Sequence, residues 1–235
     1  MVNLLHQGHV SQGLEMQLMN WMQERLDKYE FTFFEPSDRP ISSNRNKIAK
    51  KFLAGDWDIL FMLDDDNPPL KNPFDLIEYD KDVIGAIYPG RDDNGIHFHA
   101  YIFSPKWPEK IAFIQCPIEN REGLQQIDAL ATGCMFIKRK VLEKIKSPFS
   151  DMFDEDGVLI TNDDMAFCVR CKKAGFEVWT HWDHICSHFK TMDLLQMLGL
   201  MAKSKSEGYH LGFQDGLRTK NTQSLQSKEN KGDKN

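Results

Sequence analysis

Asp58 opens an unbroken apolar run, Ile59-Leu60-Phe61-Met62-Leu63, that stops at Asp64-Asp65-Asp66-Asn67-Pro68-Pro69. Apolar residues without alternation describe a strand covered on both faces, in the middle of a sheet with layers on either side. The two prolines end it. In open α/β sheets, ligands bind beyond the carboxyl ends of the strands. Three carboxylates stacked there repel one another and call for a counter-charge. A hard divalent cation, Mg²⁺ or Mn²⁺, suits oxygen ligands and can bridge to substrate phosphates. The plainer reading is an exposed Asp-Asn-Pro turn. Three consecutive like charges favour the cation.

The rest of the chain supplies strands alternating with helices. Leu14, Leu18, Trp21, Met22 and Leu26 mark one face of a helix over 14–28, and 29–34 is aromatic and β-prone. Ser42-Ser43-Asn44 offers an N-cap to a helix carrying Ile48, Ala49, Phe52 and Leu53, which Gly55 ends. Strands are expected over 83–88, 96–103 and 131–137, with 111–116 pairing to 96–103 as a hairpin. A short helix is expected over 138–146, an acidic loop over 150–160, a helix over 163–173 stopped by Gly175, a short strand over 176–180 and a last helix over 191–206. The N-terminal segment reads as neither a clear apolar strand nor a signal peptide. This order predicts an α/β single domain, a mixed, mostly parallel Rossmann-like sheet flanked by helices.

Composition narrows the function classes. Hydrophobic residues are 41% and charged residues 27%, enough apolar chain for one core. Acids outnumber bases 35 to 29, for a net charge of −6, which lowers a generic grip on nucleic-acid phosphates without excluding a local basic groove. Five cysteines, an odd number, do not form a disulfide framework, so a cytoplasmic setting is expected. No apolar run reaches the roughly 18 residues of a membrane span.

Two further groups carry chemistry. Thr161-Asn162-Asp163-Asp164 matches a loose capping box, and acids in a first helical turn are favoured by the helix dipole. His181, His184 and His188, with Cys186, form a cluster of possible metal ligands. Cys168 and Cys171 lie one turn apart on an expected helix, as a buried face would have them and not as a zinc site. His97 and His99 share one face of an expected strand, solvent-facing or packed in the hairpin.

Taken in order, SSNRNKIAKKFL, DILFMLDDDNPP, VIGAIYPGR, ALATGCMFIKRKVLEKI, NDDMAFCVRCKKAGFEVW and CSHF resemble the GT-A fold nucleotide-sugar glycosyltransferases, close to the family 2 type and its small phage and bacterial relatives. The resemblance runs from about 40 to 190. It implies metal-dependent chemistry of the inverting type on a nucleoside-diphosphate sugar, with Mn²⁺ or Mg²⁺ as cofactor. Asp64 and Asp66 match the family's Asp-x-Asp, with Asp66 on the metal and Asp64 on the ribose or the metal shell, and Asp65 beside the donor. Arg45 matches a basic residue near the diphosphate, and Gly133 a small position where backbone approaches the donor sugar. Asp163-Asp164 match a Glu-Asp pair, with Asp163 standing where Glu is usual and Asp164 as general base. His188 matches a late metal ligand. At a helix N-terminus, Asp164 is expected to have a lowered pKa.

Two alternatives stay open: a sugar-phosphate nucleotidyltransferase, for which no N-terminal Gly-rich basic loop is present, and a non-catalytic GT-A-like binding domain. The acceptor is open among glycan, lipid, protein and modified nucleic acid. The catalytic domain is expected over 1–190, a helical extension over 191–217, and a polar tail over 218–235 with five basic and two acidic residues.

Overall fold

The computed structural model describes residues 1–5, 12–34, 40–92, 95–117, 121–190, 197–199 and 202. The elements run β1 (Val2–Leu5), α1 (Gln12–Gln23), β2 (Phe33–Phe34), α2 (Ile41–Ala54), β3 (Ile59–Asp64), a 3₁₀ helix (Pro73–Tyr79) and β4 (Val83–Ile87). They continue with β5 (Pro89–Asp92), β6 (Gly95–Phe98), β7 (Ala100–Phe103), β8 (Phe113–Gln115), β9 (Leu124–Ile127), β10 (Ala129–Leu130), β11 (Cys134–Lys138) and α3 (Arg139–Lys144). Last come β12 (Met152–Phe153), β13 (Leu159–Thr161), α4 (Asp163–Ala174) and β14 (Val178–Ile185). Met1–Phe189 forms one compact unit. Of the second unit, Lys190–Asn235, only 190, 197–199 and 202 are described, so the expected last helix and polar tail lie largely outside the described residues. No helix among the described residues is long and apolar enough to cross a membrane.

A seven-stranded sheet, in the order β2-β1-β3-β11-β4-β14-β9, forms the frame. β1 pairs in parallel with β2 and β3, and β14 with β4. β11 lies antiparallel between β3 and β4, and β9 antiparallel on β14. Five of the seven strands therefore share one direction, and the architecture is the mixed Rossmann-like α/β domain that the sequence pattern describes. β3 is central and Leu60 to Leu63 are buried, as a strand covered on both faces requires. Opposite residues Phe61 and Phe136 stack at 4.2 Å, and Phe74 meets both edge-on at 5.4 and 5.8 Å.

Several boundaries differ from expectation. The N-terminus does form a strand: β1 finds its partners on both sides in β2 and β3, a non-local pairing that a four-residue run cannot announce. Helix α1 ends before Leu26, which is exposed. Helix α2 starts at Ile41 with Pro40 in the cap position, so Ser42 to Asn44 form its first turn rather than its cap. The expected strand over 96–103 breaks at His99, with β6 pairing to β5 and β7 to β8. The acidic loop over 150–160 contains the β12–β13 hairpin.

Two devices fix the helices that carry site residues. Arg139 donates to the carbonyls of Phe52 (3.2 Å), Leu53 (3.5 Å), Gly55 (2.5 Å) and Trp57 (2.8 Å), closing the carboxyl end of α2. Gly175 takes φ +84° after α4, and its N–H reaches the Cys171 and Lys172 carbonyls, a left-handed stop that glycine adopts without steric cost.

Candidate active site

Helix α2 buries Arg45, Ile48, Ala49 and Phe52 along one stripe. The face that packs the helix on the sheet thus also carries Arg45 to the carboxyl end of β3. There its Nη2 donates to Asp64 Oδ2 at 3.0 Å and Oδ1 at 3.3 Å, and its Nη1 to Asp163 Oδ2 at 2.7 Å. One buried guanidinium ties the end of β3 to the start of α4. Burial works against its charge, but Asp64, Asp163 and Asp164 outweigh that and hold it cationic. Burial raises the Asp64 carboxyl, Arg45 lowers it, and Asp66 adds a further upward push.

The capping box does not form. Asn162 occupies the cap position of α4 without a side-chain hydrogen bond, and Thr161 belongs to β13. Asp163 is spent on Arg45, while Asp164 Oδ1 accepts from the Met165 N–H at 2.7 Å. The expectation of a lowered Asp164 pKa is corrected. Burial pushes this carboxyl up to about 6, against Arg45 and with help from Asp163. Desolvation outweighs the helix terminus because the carboxylate sits under protein beside another acid.

On the other side of the β3 end, residues 66–70 zip against 185–189. Leu70 N donates to Ile185 O at 2.9 Å, Ser187 N to Pro68 O at 2.9 Å, and Phe189 N to Asp66 O at 2.8 Å. This seats His188 on Asp66, with Nε2 3.4 Å from Oδ2. His188 Nδ1 lies 2.6 Å from the Pro89 carbonyl, which can only accept, so Nδ1 carries the hydrogen. His181 and His184 do not join His188. They pack on each other at 5.4 Å, and His181 stacks on Tyr79 at 5.1 Å.

Gly133 forms the floor between these two halves. Its carbonyl accepts from Asp64 N at 2.9 Å. A side chain there would come within 2.4 Å of Asn67 Oδ1 and 2.7 Å of the Tyr88 ring. Tyr88 is a neutral phenol, since burial and the Asp64 and Asp164 charges raise it. Asp65 is half-buried in the same turn.

Sequence reasoning missed the ring cluster beside His188. Tyr88 meets His188 at 5.0 Å and His99 at 5.2 Å, and His99 lies 6.3 Å from His188. The Tyr101 hydroxyl is 3.0 Å from His99 Nδ1 and 3.3 Å from His97 Nε2. His97 and His99 do share a side, at 5.3 Å. What brings them to the site is Gly90, whose bare Cα leaves room for the His99 ring. Glycine following proline after an apolar strand was the available signal.

Cys168 and Cys171 are buried thiols on α4, and Cys168 Sγ donates to Leu130 O at 3.3 Å. Among the described residues, no three or more His, Cys, Asp or Glu side chains are grouped to hold a metal ion. Three carboxylates, from Asp64, Asp163 and Asp164, nonetheless act on one guanidinium, with Asp66 beside Asp64, an excess of negative charge at the mouth of the sheet.

The fold is the Rossmann-like mixed α/β class. No protein-family model matches the chain, and no curated protein matches it. Among solved structures, the chain is similar to A197 from STIV, with a TM-score of 0.50 and 19% identity over 81% of this chain and 85% of that one. At that identity the shared property is the fold. Two more distant likenesses are to GalNAc-T7 with UDP, GalNAc and Mn²⁺ and to an apo UDP-glucose pyrophosphorylase. The first has a TM-score of 0.46 and 13% identity, over 81% of this chain and 38% of that one. The second has 0.39 and 11%, over 79% and 73%.

Proposed function

We propose that the protein is a glycosyltransferase that moves a sugar from a nucleoside-diphosphate sugar to an acceptor hydroxyl, using a divalent cation held by Asp66 and His188. The observation that carries this reading is the Asp66–His188 pair, 3.4 Å apart, beside the Arg45-bridged carboxylates. Ligand bonds of about 2.1 Å meeting near a right angle set two donors about 3 Å apart, so this pair suits neighbouring corners of one coordination shell. The Pro89 carbonyl fixes the imidazole so that Nε2 faces Asp66, the outer-shell support that ligating histidines commonly have. One carboxylate and one imidazole leave the other positions to water and phosphate oxygens, as Mg²⁺ and Mn²⁺ prefer. Asp64 belongs to Arg45 in this reading, not to the metal.

A bound cation supplies positive charge for the departing diphosphate. The chain's own residues do the rest. Arg45 holds Asp64 and Asp163 in place. Gly133, whose missing side chain leaves room for Asn67 and the Tyr88 ring, shapes the floor beneath the site, and Asp65 lines the same turn. The acceptor oxygen bonds to the anomeric carbon as the bond to the diphosphate oxygen breaks, and Asp164 takes the acceptor's proton, giving an inverted product. A carboxyl with a pKa of about 6 is mostly ionised at pH 7 and is a stronger base than an ordinary aspartate.

Thermal unfolding with UDP, GDP, CDP and dTDP, each with and without Mn²⁺, tests this. One nucleotide at a hundredfold excess over its Kd contributes about 2.7 kcal/mol, a rise of roughly 5–10 °C in Tm for a chain of this size. The rise should require Mn²⁺ and vanish in Asp66→Ala. No response to any nucleotide from a folded protein would refute the reading.

A further inference from the structure

The β12–β13 hairpin, which leads into α4, exposes several large apolar side chains. Phe153, Val158, Leu159 and Ile160 are 56, 61, 53 and 41% exposed within one short hairpin. Phe153 and Leu159 are cross-strand partners on one face and Ile160 lies on the other, so the hairpin exposes apolar side chains on both faces, as interaction sites do. Among the described residues, β13 pairs only with β12, so its outer edge presents unused backbone donors and acceptors. The tip adds charge. Asp154 closes the turn by accepting from the N–H groups of Asp156 (3.0 Å) and Val158 (2.8 Å), and no described basic side chain forms a salt bridge with Asp154, Glu155 or Asp156. Ile160 stands four residues before Asp164, at most about 14 Å of extended chain.

We infer that β13 is the docking strand for an acceptor polypeptide, an extended segment that adds to the sheet edge and carries lysine or arginine beside apolar side chains. Backbone pairing along an edge supplies affinity, and alternate side chains supply selectivity. The acidic tip selects for positive charge and disfavours polyanions such as nucleic acid or an anionic membrane. A second copy is the poorer occupant. An antiparallel copy of β13 would lay the Asp154–Asp156 tip of one chain against Asp163–Asp164 of the other, and a parallel copy would lay tip against tip. Either way the acidic tip meets carboxylate: Asp164 in the antiparallel case, since Asp163 is neutralised by Arg45, and the other tip in the parallel case. The role as acceptor site rests on the glycosyl-transfer reading, while the docking itself does not.

Fluorescence anisotropy with a fluorescein-labelled octapeptide alternating lysine and valine tests the inference. The full chain should bind it, and binding should weaken at least tenfold in Leu159→Ser/Ile160→Ser and in Glu155→Lys/Asp156→Lys. The octapeptide with two central valines replaced by proline, which cannot complete an edge, should also lose at least tenfold. Equal binding by the wild type and both variants would overturn the inference, as would equal binding of a glutamate–valine octapeptide. So would a concentration-dependent dimer in sedimentation that Leu159→Ser/Ile160→Ser dissolves. All substituted side chains are exposed, and the nucleotide-dependent thermal shift is measured on the same proteins. A normal Mn²⁺-nucleotide shift without peptide binding removes the docking strand alone. Peptide binding with no nucleotide shift in the wild type keeps the docking strand and removes the proposed reaction.

Discussion

The two sides of the β3 end are built on opposite principles. On the Arg45 side, the charges are buried and tied to one another, with the guanidinium reaching Asp64 and, 118 residues further along the chain from Arg45, Asp163. On the His188 side, Asp66 is about a third exposed and meets the His188 imidazole at a looser 3.4 Å. The first is a finished structural joint. The second is a looser, partly exposed pair, the one proposed to hold the cation. A buried ion pair that loses one member leaves an uncompensated charge and costs several kcal/mol, whereas a partly exposed pair contributes little to stability. Structure and ligand binding should therefore separate cleanly between the two sides.

Four substitutions test that separation, and the largest effect is expected at Arg45. Arg45→Met strands two carboxylates under protein and should cost about 3–5 kcal/mol in urea unfolding. A loss below about 1 kcal/mol would mean the joint is not what holds the two elements together.

Asp164→Asn comes next and has the opposite sign. Its folded pKa, about 6, is raised by burial above the ordinary carboxylate value, so the native state holds this proton more tightly than the unfolded chain. The stabilisation is present at low pH and is lost as pH rises from about 4 through about 6. Asparagine removes that loss, so Asp164→Asn should be more stable than wild type by up to about 3 kcal/mol at pH 8, with no difference at pH 3.5. Transfer should vanish while nucleotide binding stays, and the wild-type turnover should climb with pH through about 6 as the base ionises. Full turnover in Asp164→Asn would remove the base assignment.

Gly133→Ala should cost about 1–3 kcal/mol, because its Cβ would press on Asn67 and the Tyr88 ring. The smallest effect on stability is expected at Asp66. Asp66→Ala should change metal-free unfolding by less than about 1 kcal/mol while abolishing the Mn²⁺-dependent shift. A large loss in the metal-free protein would show the His188 side to be structural as well.

Much of the frame could be read directly from residue order. The run 59–63 followed by acids and prolines identified the central strand and its carboxyl end. Arg45, Asp64, Asp66, Gly133, Asp163, Asp164 and His188 all lie at that end of the sheet. Their division of labour could not be read. Asp64 and Asp66 look equivalent in sequence, yet one points to α2 and the other to 188. Asp163 and Asp164 also look equivalent, and only one reaches Arg45. The histidines at 181, 184 and 188 read as one cluster, but the zip between 66–70 and 185–189 takes His188 away from the other two. The ring cluster of Tyr88, His99 and Tyr101 was invisible because it depends on a strand break at His99 and a gap at Gly90.

The sequence alone determined the class of frame, because burial on both faces and breakers at the strand end are local properties of composition and order. It also determined where the acids cluster. Only the tertiary structure decided which acid is neutralised by Arg45, which lies partly exposed beside His188, and which is desolvated enough to hold its proton to about 6. Those outcomes are set by distances between residues from 19 to more than a hundred positions apart and by how much protein covers each carboxylate, and neither quantity exists until the chain has folded.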